Sequence, residues 1–401
     1  MRQIARKYAA FVRQPDVARL LVVAVFTRMP LGMVAFSMLM FLRDALGDFA
    51  LAGAAVGINF LSLAMVAPIQ GRLIDRIGPK PLLLATGIVQ PLALLGVLLS
   101  ARGHAPFWVL AVCAAFSGAF ASPITTITRT IWRHRFEREE DRRTAFALDA
   151  VTIEVNFTLG PALIAIVLGA WGATAAFALA IGAVVTAMAI YLASGTLRHF
   201  KRVTTSERHL LGPLTEPRLL LVFAATFGLS VCFGIIEVGY PAFATSLAMP
   251  ALAGLLLAIN SMGSALGGMM YGGMHFRASV ERQLAAAMAL MSLPLLGHAL
   301  WLQPGLFGVV AFFAGALIAP SITAQSVLVS RFAPPKYATE AFTWSSTFIV
   351  SGIGAGISLG GALVEHVSVR APFAFGALLI VAMALLVLVA LPTPRVAPAA
   401  E

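Results

Sequence analysis

The chain has 401 residues, of which 60% are hydrophobic and 11% charged, with a mean hydropathy of +0.91. A soluble globule carries roughly 25% charged residues, so the composition excludes a water-soluble enzyme and a separate DNA-binding domain. The net charge of +11 is scattered in small clusters between apolar stretches. Nucleic acid would need a contiguous basic surface, so no nucleic-acid partner is expected.

The apolar runs are continuous and about 20 residues long, the length of a membrane-crossing helix; a membrane barrel would alternate apolar and polar positions instead. Arg2, Arg6, Lys7 and Arg13 precede the first run, which is too long for a cleaved signal and reads as a retained helix. Taken in order, the pattern predicts spans near 17–42, 49–70, 81–101, 106–131, 144–168, 172–194, 218–243, 250–273, 283–302, 304–330, 341–364 and 371–391. The expected fold is an all-α membrane protein of twelve transmembrane helices. Arg43, Arg102 and Arg370 fall on the outer side, Arg28 and Arg129 fall within spans, and the other Lys and Arg residues gather on the opposite face. That asymmetry predicts that both termini are cytosolic. Cys113 and Cys232 sit inside spans, where a thiol packs as a small apolar group; neither a metal site nor a cofactor is expected.

The chain repeats itself. Leu51-Ala52-Gly53 returns as Leu252-Ala253-Gly254, Ile58-Asn59 as Ile259-Asn260 and Gly71 as Gly272, all at an offset of 201. A second block follows at an offset of 196: Arg135-Phe136 with Arg331-Phe332, Ala145-Phe146 with Ala341-Phe342, Gly160 with Gly356, and Phe177 with Phe373. Parallel six-helix repeats are a transporter plan. The expected organisation is a six-helix bundle over 1–194, a cytosolic linker over 195–217 and a second bundle over 218–401.

Between the second and third spans stands Gly71-Arg72-Leu73-Ile74-Asp75-Arg76-Ile77-Gly78-Pro79-Lys80. Gly71 is expected to let two helices approach, and Gly78 to permit a tight turn. Asp75 suits a helix N-terminus, and Arg76 and Lys80 offer charge-assisted bonds. This loop resembles the signature of the major facilitator superfamily, with Gly71, Leu73, Asp75, Arg76, Gly78 and Lys80 matching. The resemblance implies that Asp75 engages the start of the eleventh span, near Tyr337–Ala341, and locks the outward-facing state. A second element is similar to the fifth-helix motif of drug antiporters: Gly160-Pro161 match it, whereas Asn156, Ile164 and Ala165 stand where that motif has glycine. In the fourth span Ala114 occupies a position where the family has Arg.

Ionisable groups inside a membrane are costly and mark candidate function. Arg28 lies about ten residues into the first span and Glu154 about eleven into the fifth, so a mid-membrane pair is expected. At 100° per residue, Asp149, Thr152, Asn156 and Gly160 form one stripe, away from Glu154. The glycine-bearing stripe is expected to meet the opposite half, with Glu154 facing Arg28. Further candidates are Arg129, aligned with Ser122 and Thr125 on the fourth span, and Glu237, aligned with Thr226 and Ser230 on the seventh, where Gly239-Tyr240-Pro241 predicts a break. Ser321 and Gln325 mark the tenth span. Met29, Met33, Met38, Met40 and His298 read as packing residues.

The expected function is secondary transport of a small organic solute by alternating access, with protons as the coupling ion. The resemblance implies export. No G-x-x-x-x-G-K-[ST] run is present to bind nucleotide, and no span carries a nucleophile–base set for an enzyme. An uncoupled facilitator, an uptake permease and a sensor built on a transporter fold stay open, though the short tails argue against the sensor. The excess of 24 Arg over 4 Lys points to a GC-rich bacterial genome and a bacterial inner membrane, with the chain expected as a monomer in lipid.

Overall fold

Residues 13–136, 139–200, 212–274, 276–300, 303–334 and 338–391 are described here from a computed structural model of the chain. They form thirteen α-helices and no strand: α1 Pro15–Leu46, α2 Phe49–Ile77, α3 Pro79–Arg102, α4 Phe107–Ala119, α5 Ile124–Arg135, α6 Glu139–Ala193, α7 Pro217–Ser246, α8 Pro250–Gly273, α9 Val280–Leu300, α10 Pro304–Ala316, α11 Ile318–Phe332, α12 Ala338–His366 and α13 Ala371–Ala390. With α4 joined to α5 and α10 to α11, eleven stretches among the described residues are long and apolar enough to cross a membrane. One of these, within the 55-residue α6, counts twice. A straight helix of that length would run about 82 Å, against an apolar membrane thickness of about 30 Å. It splits at Gly172, where φ 82 and ψ 177 belong to a region only glycine enters without strain. The fifth and sixth spans meet there, and the total is the expected twelve.

Local chemistry sets the other boundaries. Gly47 ends α1 in the left-handed conformation (φ 72), its N–H returning to Arg43 O at 2.9 Å. Asp48 then caps α2, accepting from the N–H groups of Ala50 at 2.6 Å and Leu51 at 3.0 Å. Only Gly78 separates α2 from α3, with φ 88 and ψ 167. Any Cβ at that backbone conformation is strained by about 1–3 kcal/mol. Gly78→Ala should therefore lower the melting temperature of the detergent-purified protein, and an unchanged melt would show that the turn relaxes freely.

Two expectations change. A Cβ built on Gly71 meets no described atom within 4 Å, so Gly71 makes no close helix approach here. The seventh span does not break at Gly239-Tyr240-Pro241, because α7 runs through Pro241. Proline forfeits one backbone bond, a loss a membrane helix packed among neighbours absorbs. Gly239 instead makes room for the Phe373 ring, which a Cβ there would strike.

The spans turn apolar residues outward, Met65, Ile69, Leu92, Leu378 and Val389 among them. Water would penalise such a surface; hydrocarbon does not. By contacts the chain divides into two compact units, 1–206 with 240–258, and 207–239 with 259–401.

Inside each unit the repeat seen in the sequence reappears as geometry. In the first, Asn59 Nδ2 donates to Ala114 O at 3.1 Å, and a Cβ on Gly118 would collide with the Asn59 backbone carbonyl. In the second, Asn260 Nδ2 donates to Ala311 O at 3.0 Å, and a Cβ on Gly315 would collide with Asn260 in the same way. A second crossing is also duplicated. Gly160 of α6 lies on Gly32 of α1, while Gly356 of α12 lies on Val231 of α7. Within the first unit, Gly254 of α8 also lies against Pro161 and Ala165.

Both units interrupt a span at the same point. α4 ends at Ala119 and α5 starts at Ile124; α10 ends at Ala316 and α11 starts at Ile318. In the first unit Pro123 has no N–H and pushes the residue before it out of the helical region. The freed backbone groups are taken by side chains of the neighbouring spans. Gln70 Nε2 donates to Ala119 O at 2.8 Å and to Ala121 O at 3.2 Å. The Ser122 N–H donates to Gln90 Oε1 at 3.3 Å, and the Ser122 hydroxyl to Thr86 Oγ1 at 3.0 Å.

Candidate functional site

The α1–α6 crossing decides where the charges go. The two helices run side by side in the same direction, so Gly32 meets Asn156 and Gly160, and one turn earlier Arg28 meets Asp149 and Thr152. Arg28 Nη2 lies 2.7 Å from Asp149 Oδ1, both side chains being sealed from solvent (0% and 1% exposed). Arg28 Nη1 donates to Thr152 Oγ1 at 3.0 Å, and that hydroxyl donates on to Asp149 O at 2.7 Å. This overturns the expected assignment of Asp149 to the opposite half. The glycine-bearing stripe packs on α1 of its own unit, because the Gly32–Gly160 contact needs small residues on both helices, and it carries Asp149 to Arg28. The Glu154 side chain lies outside the described residues.

Asp149 has two further partners, both from α5. Arg129 Nε donates to Oδ2 at 3.2 Å with its side chain 52% exposed, and Trp132 Nε1 donates to Oδ1 at 3.2 Å. The carboxylate thus joins a sealed cation on one side to a solvated one on the other. Beside it Val17, Leu20, Trp132, Phe136 and Ala145 form an apolar cluster, with Trp132 stacked on Phe136 at 6.1 Å. A buried ion pair is worth its desolvation only with good geometry and added hydrogen bonds, and this one has both.

Arg28 also lines a cavity of about 120 Å³ within the first unit. Its other polar walls include Asn59, Gln90, Ser122 and Thr125, and its apolar walls include Phe60 and Met188. The break between α4 and α5 places Ser122 on this wall. Ser122 therefore does not continue the helical stripe of Thr125 and Arg129 that the spacing predicts, since Pro123 ends the periodicity. Asp149 does not line the cavity; Arg28 stands between them.

In the second unit Thr226 and Ser230 are buried on α7, and Glu237 is half-buried with no ion-pair partner among the described residues. Gln325 of α11 donates to Ser345 Oγ at 2.7 Å. Arg331 Nη1 donates to the buried Glu281 at 3.1 Å. His298 is buried against Phe307 and Phe373, ring centroids 4.2 and 5.0 Å away.

The sequence matches the family described as Major Facilitator Superfamily over residues 20–356. The chain belongs to the major facilitator superfamily. No curated protein matches it. Among solved structures it is similar to the nucleoside transporter NupG, with a TM-score of 0.77 at 12% identity, covering 95% of this chain and 100% of that one. A mutant form of NupG gives the same score at 13% identity, covering 92% and 98%. A POT family transporter in complex with 5-aminolevulinic acid gives 0.71 at 12% identity, covering 93% and 95%. At these identities the likeness shows the fold alone. Family and fold together make the chain a multi-pass membrane transporter rather than an enzyme.

Superfamily membership gives the segment 71–80 its context; it is the end of α2, Gly78 and the start of α3 rather than a loop, so Asp75 stands at the C-terminal end of α2 and not at a helix N-terminus. Arg76 and Lys80 are exposed beside the Gly78 turn, and Leu73 is 37% exposed. The side chain of Asp75 and residues 335–337 lie outside the described residues, and with them the expected lock on the eleventh span. Sequence reasoning missed Trp132, Gln70, Gln90 and Thr86. A polar residue in an apolar span was the available signal for Gln70, Gln90 and Thr86. Trp132 gave none, because an indole at the end of a span reads as an interface anchor.

Proposed function

We propose that this superfamily member moves a small organic solute by alternating access, coupled to protons, with Asp149 as the group that takes the proton. The observation that carries the reading is the buried Asp149 carboxylate held between Arg28, at the wall of a cavity, and Arg129, open to solvent. Such a carboxylate can trade a proton for a cationic partner. Protonation removes the charge that holds Arg28, and rebinding of Arg28 expels the proton. Glu154 and Glu237 are the other membrane carboxyls of this reading. Export as the direction rests on the resemblance of Gly160-Pro161 to drug antiporters, and a bacterial inner membrane and a monomeric state complete the proposal.

The test uses purified protein in liposomes, with solutes first selected by thermal shift. Flux of a selected solute should rise at least tenfold when a pH gradient is imposed, and Asp149→Asn should exchange solute while losing that acceleration. Equal flux with and without the gradient would mean an uncoupled facilitator. Binding with no flux under any gradient would mean a sensor.

A further inference from the structure

We infer that the cavity beside Arg28 binds a small organic acid, the carboxylate seated on the Arg28 guanidinium. The inference rests on the transport reading for its consequence but not for its chemistry, which concerns binding alone.

Four observations converge. Among the described residues lining the cavity Arg28 is the one that is charged, and its carboxylate partner Asp149 is not on the wall. A cationic solute would therefore meet a cation first. Among the described residues Arg28 Nε has no hydrogen-bond partner, although the residue is 1% exposed. A buried donor left unpaired is costly, and an acceptor from the cavity removes that cost. Among the described residues the neighbouring Gln90 bonds through its amide oxygen, to the Ser122 N–H, leaving its amide N–H groups as further donors. The charges add up in the same sense: Arg28 and Arg129 share the single carboxylate of Asp149. Among the described side chains, which leave out Glu154, the network holds one positive charge in excess, in the sense that favours an anion.

Size and lining set the remainder of the solute. The volume of about 120 Å³ corresponds to about four waters at about 30 Å³ each, a little less than the cavity of about 150 Å³ that takes benzene. Phe60, Leu31 and Met188 provide apolar surface for a short aliphatic or aromatic body. A monocarboxylate of roughly this size fits; a dicarboxylate would bring a second charge with no cation to receive it.

The experiment measures binding to the detergent-purified full chain by calorimetry. The probes are straight-chain and aromatic monocarboxylates of two to eight carbons, their primary amides and the corresponding amines. At least one carboxylate should bind at least tenfold tighter than its amide, and the amines should not bind. Arg28→Lys keeps a cation for Asp149 but loses the guanidinium fork, so it should fold and lose at least tenfold in carboxylate affinity with little change for the amide. Gln90→Leu should weaken the same acids severalfold without touching the ion pair. Equal binding of acids and amides, or preferential binding of amines, overturns the proposal, as does an Arg28→Lys protein that binds acids as the parent does. Acid binding without flux in liposomes would instead overturn the transport reading and leave this one standing.

Discussion

Asp149→Asn should destabilise the protein by about 3–5 kcal/mol, the cost of leaving one partner of a buried ion pair bare. Among its described partners Arg28 would keep Thr152 and a neutral amide oxygen, with no counter-charge and sealed from water. The reverse change should be milder. After Arg28→Met the carboxylate keeps Arg129 and Trp132, and one of these is solvated. The double variant Arg28→Met/Asp149→Asn should then melt above the Asp149→Asn single, because no unpaired charge is left inside and the Asn oxygen can still accept from Trp132. Thermal unfolding of the three purified proteins reads the order directly. A double variant that melts no higher than Asp149→Asn would mean that the ion pair is not the cause of the loss. Transport driven by a pH gradient should fall in all three, which separates what the pair does for the fold from what it does for the coupling.

Substitution at the duplicated helix crossings should give the other large effect. A Cβ on Gly118 or Gly315 would lie inside the contact distance of a backbone carbonyl, that of Asn59 or Asn260. Backbone cannot swing aside as a side chain can, so α2 must part from α4, or α8 from α10. Overpacking of this kind costs about 1–3 kcal/mol, and Gly118→Val and Gly315→Val should reach the upper end or fail to accumulate in the membrane. The two should resemble one another, as the repeat demands. Gly182→Ala is the matched contrast. A Cβ there meets nothing, and a helical Gly→Ala change is worth about 0.5–1 kcal/mol in favour of the helix. A destabilised Gly182→Ala protein beside a tolerant Gly118→Val one would refute the packing account.

How far the sequence carried depended on which distances the chemistry spans. The twelve spans, the Gly78 turn and the division at Gly172 are local, fixed by apolar run length and by glycine where the chain must turn. The duplicated Asn59 and Asn260 were visible as a repeat, though not their bonds to Ala114 and Ala311. Asp149 was legible as a buried charge on the stripe of Thr152, Asn156 and Gly160, and Arg28 as a mid-span cation. Their pairing was not. A helical period tells which residues share a face but not which neighbour that face meets, and Gly160 packs on Gly32 rather than on the other half. The interruption after Ala119 was hidden for a different reason. A proline such as Pro123 is tolerated inside membrane helices, so its presence alone does not mark a break; the freed backbone groups here are received by side chains from α2 and α3.

That interruption makes the fourth span two rods rather than one. The shorter, α5, carries both Arg129 and Trp132, and it is joined to α4 only through residues 120–123. The carbonyls of Ala119 and Ala121 and the N–H of Ser122 are bonded to Gln70 and Gln90, so tilting α5 about this point need not tear a helical ladder. Such a tilt would draw Arg129 and Trp132 off the Asp149 carboxylate in one stroke while Arg28, anchored on α1, stayed behind. The carboxylate would pass from three partners to one by the swing of a twelve-residue lever, with the hinge pinned by two glutamines.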